Sequence, residues 1–435
     1  MAPSSTPFDA SRRSLLAARD ARQAGLDARL GQGWPALVAV SLALPGTNKA
    51  PPGGAELFRW ATGELARAFP AARELHRRDD ALGPFAIWGV AESPRRVKER
   101  CVAIEVAHTA ARLVDLDVYG SAGAPVDRAS LSMPARACLC CGEPARDCIR
   151  ASRHGSAELA SRAATLLVRD PLDRLAAALV DGLRRELWLT PKPGLVDRED
   201  CGSHPDLSLP IMERSIELVG RYLDELSDSV ASGEPLARQV VLGCMSERRM
   251  MEELGTNTHR GAIFLAGLLV VARHRAGSDA EGGLRGEISS LAGELGSASR
   301  RLGTHGEAAR LRFGVGGILR EAAAGLPSVF DVALPAIRGR LGRGDADSAA
   351  FAGLARLMQV VEDTTALHRC GPPGLARIRA DGARLEELVA RDDHLAYLRE
   401  TNVRYRVMNL TMGGIADLLG LALGWLRYRG ELPLT

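Results

Sequence analysis

Lysine is nearly absent from this sequence. Among 435 residues only Lys49, Lys98 and Lys192 carry an ammonium group, against 53 arginines. Asparagine is almost as scarce, confined to Asn48, Asn257, Asn402 and Asn409, and aromatic residues make up 4% of the chain. With few rings to stack on bases and a net charge of only +3, the chain lacks the basic, ring-bearing face that nucleic acid would require. An anionic membrane surface is disfavoured by the same charge balance. Long apolar runs are missing as well. The longest uncharged one, GAIFLAGLLVVA between Arg260 and Arg273, has 12 residues, too few to span a bilayer, and predicts a buried helix. The first residues, MAPSSTPFDASRRSLLAARDARQ, have no apolar core of signal-peptide type. Eight cysteines are too sparse for a secreted disulfide scaffold, so a reducing cytoplasm is the expected compartment.

What is present is the composition of an ordinary globular protein, 46% hydrophobic and 25% charged. The length exceeds one comfortable core and implies two domains or more. Residues 1–160 mix helix and strand signals. SRRSLLAARDARQAGLDARL and PRRVKERCVAIEVAHTAA predict helices, whereas PALVAVSLALPG, FAIWGV and ARLVDLDVYG predict strands. Over 161–435 strand signals vanish, and Ala/Leu/Arg/Glu runs at helical spacing dominate between Gly-, Pro- and His-bearing loops. The expectation is an α/β (α+β) domain over 1–160 followed by an all-α domain over 161–435. A surviving Lys in so arginine-rich a chain marks a place where a compact ammonium is wanted rather than a planar fork.

Three features of the first domain carry chemistry. Asp115 and Asp117, at i and i+2 in a strand, point out of one face and repel unless a cation lies between them, which suits Mg²⁺ and substrate phosphates. LPGTNKA, residues 44–50, opens a strand into a Pro-Gly turn with Asn48 and Lys49, a setting where free N–H groups and an ammonium meet phosphate. Finally, Cys138, Cys141, Cys148 and His154, spaced C-x2-C-x6-C-x5-H, supply a tetrahedral set of Zn²⁺ ligands, though the second half is not a standard finger spacing. Arg136, Arg146, Arg150 and Arg153 surround that stretch.

Taken together, PG-x-x-K, the helix with Glu105, R-L-x-D-x-D-V, Arg128 and R-x-C-L-x-C-G-x-x-A-x-x-C-x-R-x-x-x-H resemble the citrate lyase holo-acyl-carrier-protein synthase family, from about residue 12 to 155. The resemblance implies a nucleotidyltransferase-like domain in which a carrier serine attacks the α-phosphate of a triphosphoribosyl-dephospho-CoA and pyrophosphate leaves. Asp115 and Asp117 would then be the Mg²⁺ ligands and catalytic acids, with Asn48, Lys49 and Arg128 binding substrate.

The helical half presents its polar residues in loops, where helix N-termini offer free N–H groups to phosphate. T-P-K-P-G-L-V-D, G-S-H-x-D, N-T-H-x-G-A-I-F, T-H-G, R-E-A-x-x-G-x-P, E-D-T and G-G-x-A-D-L-L resemble the triphosphoribosyl-dephospho-CoA synthase family, over about 172–430. Arg260 stands where that family usually has Lys, Thr365 where it has Asn, Cys370 where it has Gly, and Met412 where it has Pro. The resemblance implies pentosyl transfer from ATP to 3′-dephospho-CoA with loss of adenine. Such a centre needs a base, stabilisation of a cationic ribose and Mg²⁺ for the triphosphate. Candidate catalytic groups are His259, Asp206 and Glu247. Candidate substrate-binding groups are Lys192, His204, Asn257, Arg260, His305, Arg320, Glu321, Asp363, His368 and Asp417, with base and metal ligand not told apart. The expected function is manufacture and attachment of the citrate lyase prosthetic group, with the acyl carrier protein (gamma) subunit as partner. Rivals are the same chemistry serving malonate decarboxylase, or a zinc-bearing binding module on a helical scaffold.

Overall fold

A computed structural model describes residues 7–298, 314–343 and 345–432. His305 and its THG motif lie outside the described residues. The chain forms two compact units, Met1–Pro171 and Leu172–Thr435, dividing at a proline within one helix.

The first unit runs α1 (Pro7–Asp27), β1 (Ala36–Leu42), α2 (Gly54–Ala68), β2 (Arg73–Asp80), β3 (Gly83–Val90), α3 (Pro94–Glu105), β4 (Val114–Gly120), β5 (Pro125–Val126) and α4 (Ala145–Arg150). It ends in the first half of α5 (Ser156–Trp188). The strands form one antiparallel sheet in the order β2-β3-β1-β4-β5. Period-2 alternation sends Ala36, Val38, Val40, Val114, Leu116 and Val118 to one face, where they pack with Leu57 and Phe58 of α2, Val97 and Cys101 of α3, and Leu166 and Leu167 of α5. Leu37, Ala39, Phe85 and Ile87 face the other way and gather with Leu26 of α1. Asp115 and Asp117 stand on this second face, opposite Ser41 and Ala39.

Two elements depart from expectation. The helix expected over PRRVKERCVAIEVAHTAA stops at Glu105 and resumes only as a short 3₁₀ turn, Thr109–Leu113. The Glu105 carboxylate, accepting from the Leu116 N–H at 2.9 Å, ties the end of the helix to the following strand. Strand β2, RELHRRDD, gave no apolar alternation to read. It is an edge strand, and charge along an exposed edge keeps other chains from pairing with it.

The second unit is helical throughout its described residues. The rest of α5 is followed by α6 (Leu209–Ala231), α7 (Leu236–Leu254), α8 (Arg260–Ala276), α9 (Glu281–Ala298), α10 (Gly317–Ala323) and a π-helical turn, Ser328–Ala333. Then come α11 (Leu334–Leu341), α12 (Ala346–Val360), α13 (Thr364–Val389), α14 (Leu395–Met408) and α15 (Gly413–Tyr428). One apolar core unites them, with Trp425, Tyr405 and Phe351 among its largest buried members. Helix α8 carries the 12-residue apolar run and is buried nearly all round, as its uniform hydrophobicity requires. Among the described residues no helix is long and apolar enough to cross a membrane.

Candidate functional site

In the first unit the two strand acids differ in their surroundings. Arg136 lies 3.0 Å from Asp115 Oδ1 and 2.9 Å from Glu105 Oε1, so one guanidinium serves two carboxylates. Arg128 also pairs with Glu105. Buried Lys98 donates to the Leu116 carbonyl at 2.7 Å while Glu105 takes the Leu116 N–H. These two side chains occupy the backbone positions another strand would fill, and so fix the segment between the acids. Asp117 has no hydrogen-bond or ion-pair partner among the described residues. Its carboxyl opens to solvent at the sheet face, yet it is pushed up to about 6, first by desolvation among the atoms around it and then by Asp115. Two oxygen donors on one face, one unpaired and raised by desolvation and then by its neighbour, fit a hard divalent cation such as Mg²⁺. Lys49 donates to the Leu44 carbonyl and is held below the usual lysine range by burial. Asn48 accepts from the Ala50 N–H at 3.0 Å, closing the turn.

The cysteine stretch folds back on itself through a bridge between Ala137 and Pro144. It brings the Sγ atoms of Cys138, Cys141 and Cys148 and a ring nitrogen of His154 within 4.8 Å of one another. All eight cysteines are free thiols. The His154 hydrogen bond holds the Cys141 thiol down at about 6, and the Cys141 hydrogen bond pushes Cys148 up to about 12.

In the second unit the loops converge on a buried charge cluster. The TPKPG turn contains a cis Thr190–Pro191 peptide and Gly194 at φ 70°. It delivers Lys192 to Glu186 of α5, where Nζ lies 2.6 Å from Oε1 and 2.5 Å from the Glu186 carbonyl. Asp197 accepts from the Lys192 N–H at 2.7 Å, and Asn402 of α14 accepts from the Gly194 N–H at 2.9 Å. Asp417 of α15 is partly buried by surface area, and its carboxyl is pushed well above its ordinary value, first by desolvation among the surrounding atoms, then by Glu186 and Asp363. Burial also raises Glu186, against the pull of Lys192. His259, at the start of α8, meets Ser215 Oγ at 2.6 Å and falls to about 4 through burial, with Lys192 adding to the effect. Asp363 caps α13 through the Thr365 and Ala366 N–H groups and also accepts from Ile415 at 3.0 Å, tying the starts of α13 and α15 together.

His204 takes a hydrogen bond from Arg369 on Nδ1 at 3.2 Å, so its Nε2–H is free to donate to Thr411 Oγ1 at 2.9 Å. Burial, then Arg369, lowers it to about 4, with Asp206 opposing. Beside it opens a cavity of about 270 Å³ lined by Cys201, Ser203, His204, Arg406 and Asn409. Glu247, Asn257 and Arg260 form a separate group, Glu247 Oε2 lying 3.2 Å from Asn257 Nδ2 and 3.1 Å from Arg260 Nε.

The structure therefore gathers Lys192, His259, Asp363 and Asp417 around Glu186. It places Arg320 elsewhere, paired with Glu362 at 2.7 Å. Glu321 receives the Ser328 N–H at 2.7 Å and Oγ–H at 3.0 Å, a helix-start contact. His368 sits in the second turn of α13. Sequence reasoning passed over Glu186 and Ser215, which lie in helical runs of ordinary composition, and did not single out Asp197 although it closes the TPKPGLVD motif. A buried ammonium needs a counter-ion, and that requirement was the available signal for Glu186.

Perturbed carboxyls and an imidazole gathered in one cluster mark a candidate active site, and the family matches make the chain a transferase. Residues 172–432 match the family of ATP:dephospho-CoA triphosphoribosyl transferases, and the chain belongs to that family. Residues 10–169 match the apo-citrate lyase phosphoribosyl-dephospho-CoA transferase family. A probable 2-(5″-triphosphoribosyl)-3′-dephosphocoenzyme-A synthase of Pseudomonas aeruginosa (strain UCBPP-PA14) is 37% identical, over 61% of this chain and 94% of its own. A protein of the same description from Azotobacter vinelandii is 35% identical over 58% and 90%. Protein CitXG of Leuconostoc mesenteroides subsp. cremoris is 26% identical over 91% of this chain and 92% of its own, so both units have counterparts in one relative.

Proposed function

We propose that the chain makes the citrate lyase prosthetic group and attaches it. The second unit would join ATP to 3′-dephospho-CoA. The ribose 2′-hydroxyl attacks C1′ of ATP, adenine leaves, and 2′-(5″-triphosphoribosyl)-3′-dephospho-CoA forms. The first unit, a nucleotidyltransferase-like fold on this reading, would pass that product to a serine of the apo acyl carrier protein (gamma) subunit in the cytoplasm. The serine oxygen attacks the α-phosphorus and pyrophosphate leaves.

The observation that carries the reading is the cluster of buried Glu186, Lys192, Asp363 and His259 with partly buried Asp417 inside the matched span. Asp417, whose proton affinity is raised by desolvation and by Glu186 and Asp363, is placed to donate to the departing adenine. His259, kept neutral by burial, enters the reaction able to accept the 2′-hydroxyl proton. A carboxyl-rich surrounding stabilises positive charge developing on the ribose. Arg369 and Arg406, beside the cavity at His204, suit the triphosphate.

In the first unit, Arg136 and Arg128 hold Glu105 in place, and Glu105 and Lys98 in turn orient the segment that carries Asp115 and Asp117. Mg²⁺ held by those two acids would neutralise phosphate charge and favour ionisation of the serine hydroxyl.

The deciding experiment incubates the full chain with ATP, dephospho-CoA and Mg²⁺. Adenine should appear only when dephospho-CoA is present, and addition of the apo carrier should then yield a carrier heavier by the phosphoribosyl-dephospho-CoA group. Release of phosphate with the adenosine left whole would overturn the pentosyl transfer. Preferential labelling of the malonate decarboxylase carrier would reassign the partner.

A further inference from the structure

We propose that Cys138, Cys141, Cys148 and His154 hold one structural Zn²⁺, with Glu158 bound to the outer nitrogen of the histidine, and that this ion fixes the loop presenting Arg136 to Asp115 and Glu105.

The geometry leads there in three steps. Four donors on a tetrahedral zinc, with Zn–S near 2.3 Å, stand about 3.8 Å from one another. Here Cys141 Sγ lies 3.3 Å from Cys148 Sγ and 3.3 Å from His154 Nε2, and all four donor atoms fall within 4.8 Å. The cage needs only small adjustments to close on an ion. A disulfide would need its sulfurs at about 2.05 Å, well inside that 3.3 Å separation.

Second, the histidine is already set for metal. Its Nε2 faces the thiols while Nδ1 lies 3.2 Å from Glu158 Oε1, one turn on. A carboxylate on the outer nitrogen fixes the ring orientation and tautomer and raises the basicity of the ligating nitrogen. Glu158 belongs to α5, so the ion would join the loop to the start of that helix.

Third, the loop bears on the carrier-transfer site. The Arg136 carbonyl accepts from Ala145 at 2.8 Å, the Cys138 N–H donates to the Glu143 carbonyl at 2.8 Å, and Arg112 donates to the Cys138 carbonyl. These contacts connect the cage directly to the residue whose guanidinium bridges Asp115 and Glu105. On binding, three thiols release their protons and His154 stays neutral, so the filled site carries one net negative charge. All four ligands are used, which leaves no open position for catalysis and makes the role structural.

The test measures metal by mass spectrometry on full-length protein purified without chelator from zinc-supplemented medium. About one zinc per chain is expected. Cobalt substitution should give the visible bands of a tetrahedral thiolate site. Cys148→Ser should lose the zinc. Should that variant fail to fold, Glu158→Gln serves instead, since it keeps every ligand and should weaken zinc retention against a chromogenic chelator about 10- to 100-fold. Zinc removal should lower carrier labelling and leave adenine release in place. Metal-free wild-type protein, or zinc retention unchanged by Glu158→Gln, overturns the proposal.

Discussion

Gly261 lies against Asp417 so closely that a methyl group on its Cα would stand 2.0 Å from Asp417 Oδ2. The absence of a side chain at the first turn of α8 is what lets a partly buried carboxyl of α15 approach. Gly261→Ala should push the Asp417 carboxyl out of its place, costing at most about 1–3 kcal/mol, the range for overpacked cores. It should also suppress adenine release far more than it lowers stability. Denaturant midpoints and adenine chromatography on the same preparation check this. Normal adenine release from the variant would show that Asp417 is not held for chemistry.

The Lys192–Glu186 pair is buried, with side chains 1% and 6% exposed. Lys192→Met leaves a buried carboxyl without its cation and should cost about 3–5 kcal/mol. Adding Glu186→Gln removes the stranded charge, so the double variant should regain much of that stability while remaining without adenine release. Recovery of both together would make the pair purely structural. Lys192→Arg should not rescue activity, because a planar fork cannot occupy the compact ammonium's place beside a main-chain carbonyl.

His259 offers an activity test and a pH test. His259→Ala should reduce adenine release by about 10²–10⁴-fold, the usual span for a lost acid–base group, while pre-formed intermediate is still passed to the carrier. Its folded-state value of about 4 lies below the ordinary 6.5. Between these limits the unfolded chain binds the extra proton, so the stability gained by keeping the ring neutral is whole above 6.5 and lost as pH falls toward 4. The loss approaches about 1.4 kcal/mol per pH unit. Urea midpoints should therefore fall with pH in that window, and fall less in His259→Gln. Equal slopes would contradict the burial argument.

Asp115→Asn and Asp117→Asn each keep the shape of the strand and remove half of a cation site. Either should nearly abolish carrier labelling, since acids sharing one ion act as a unit. Folding should be little affected, because the Asp115–Arg136 contact is partly exposed and such pairs contribute about 0–1 kcal/mol. Adenine release should persist and triphosphoribosyl-dephospho-CoA accumulate. A folded double Asn variant that labels the carrier at the normal rate would return the acids to a solvated sheet face.

Local pattern alone carried a good part of this. Alternation in PALVAVSLALPG, FAIWGV and ARLVDLDVYG located three strands and put Asp115 and Asp117 on one face, because side-chain direction in a strand follows from spacing. The uniform apolarity of GAIFLAGLLVVA marked α8 as buried. Scarcity of lysine pointed to places that need a compact ammonium, and each of the three donates to a main-chain carbonyl: Lys49 to Leu44, Lys98 to Leu116, Lys192 to Glu186. What spacing cannot carry is which distant groups meet. Glu186 sits in GLRRELW, where it reads like any helical glutamate, and becomes the partner of Lys192 only when the TPKPG turn folds back onto α5. Glu105 joins Leu116, Arg128 and Arg136 because a helix end packs beside a strand edge. Arg320 and Glu321 stand in a motif of the second unit, yet packing gives them to Glu362 and Ser328. Charge type is a property of the residue. Burial, and with it the proton affinity of Asp417 and His259, is a property of the packed neighbours, and only tertiary structure decides those.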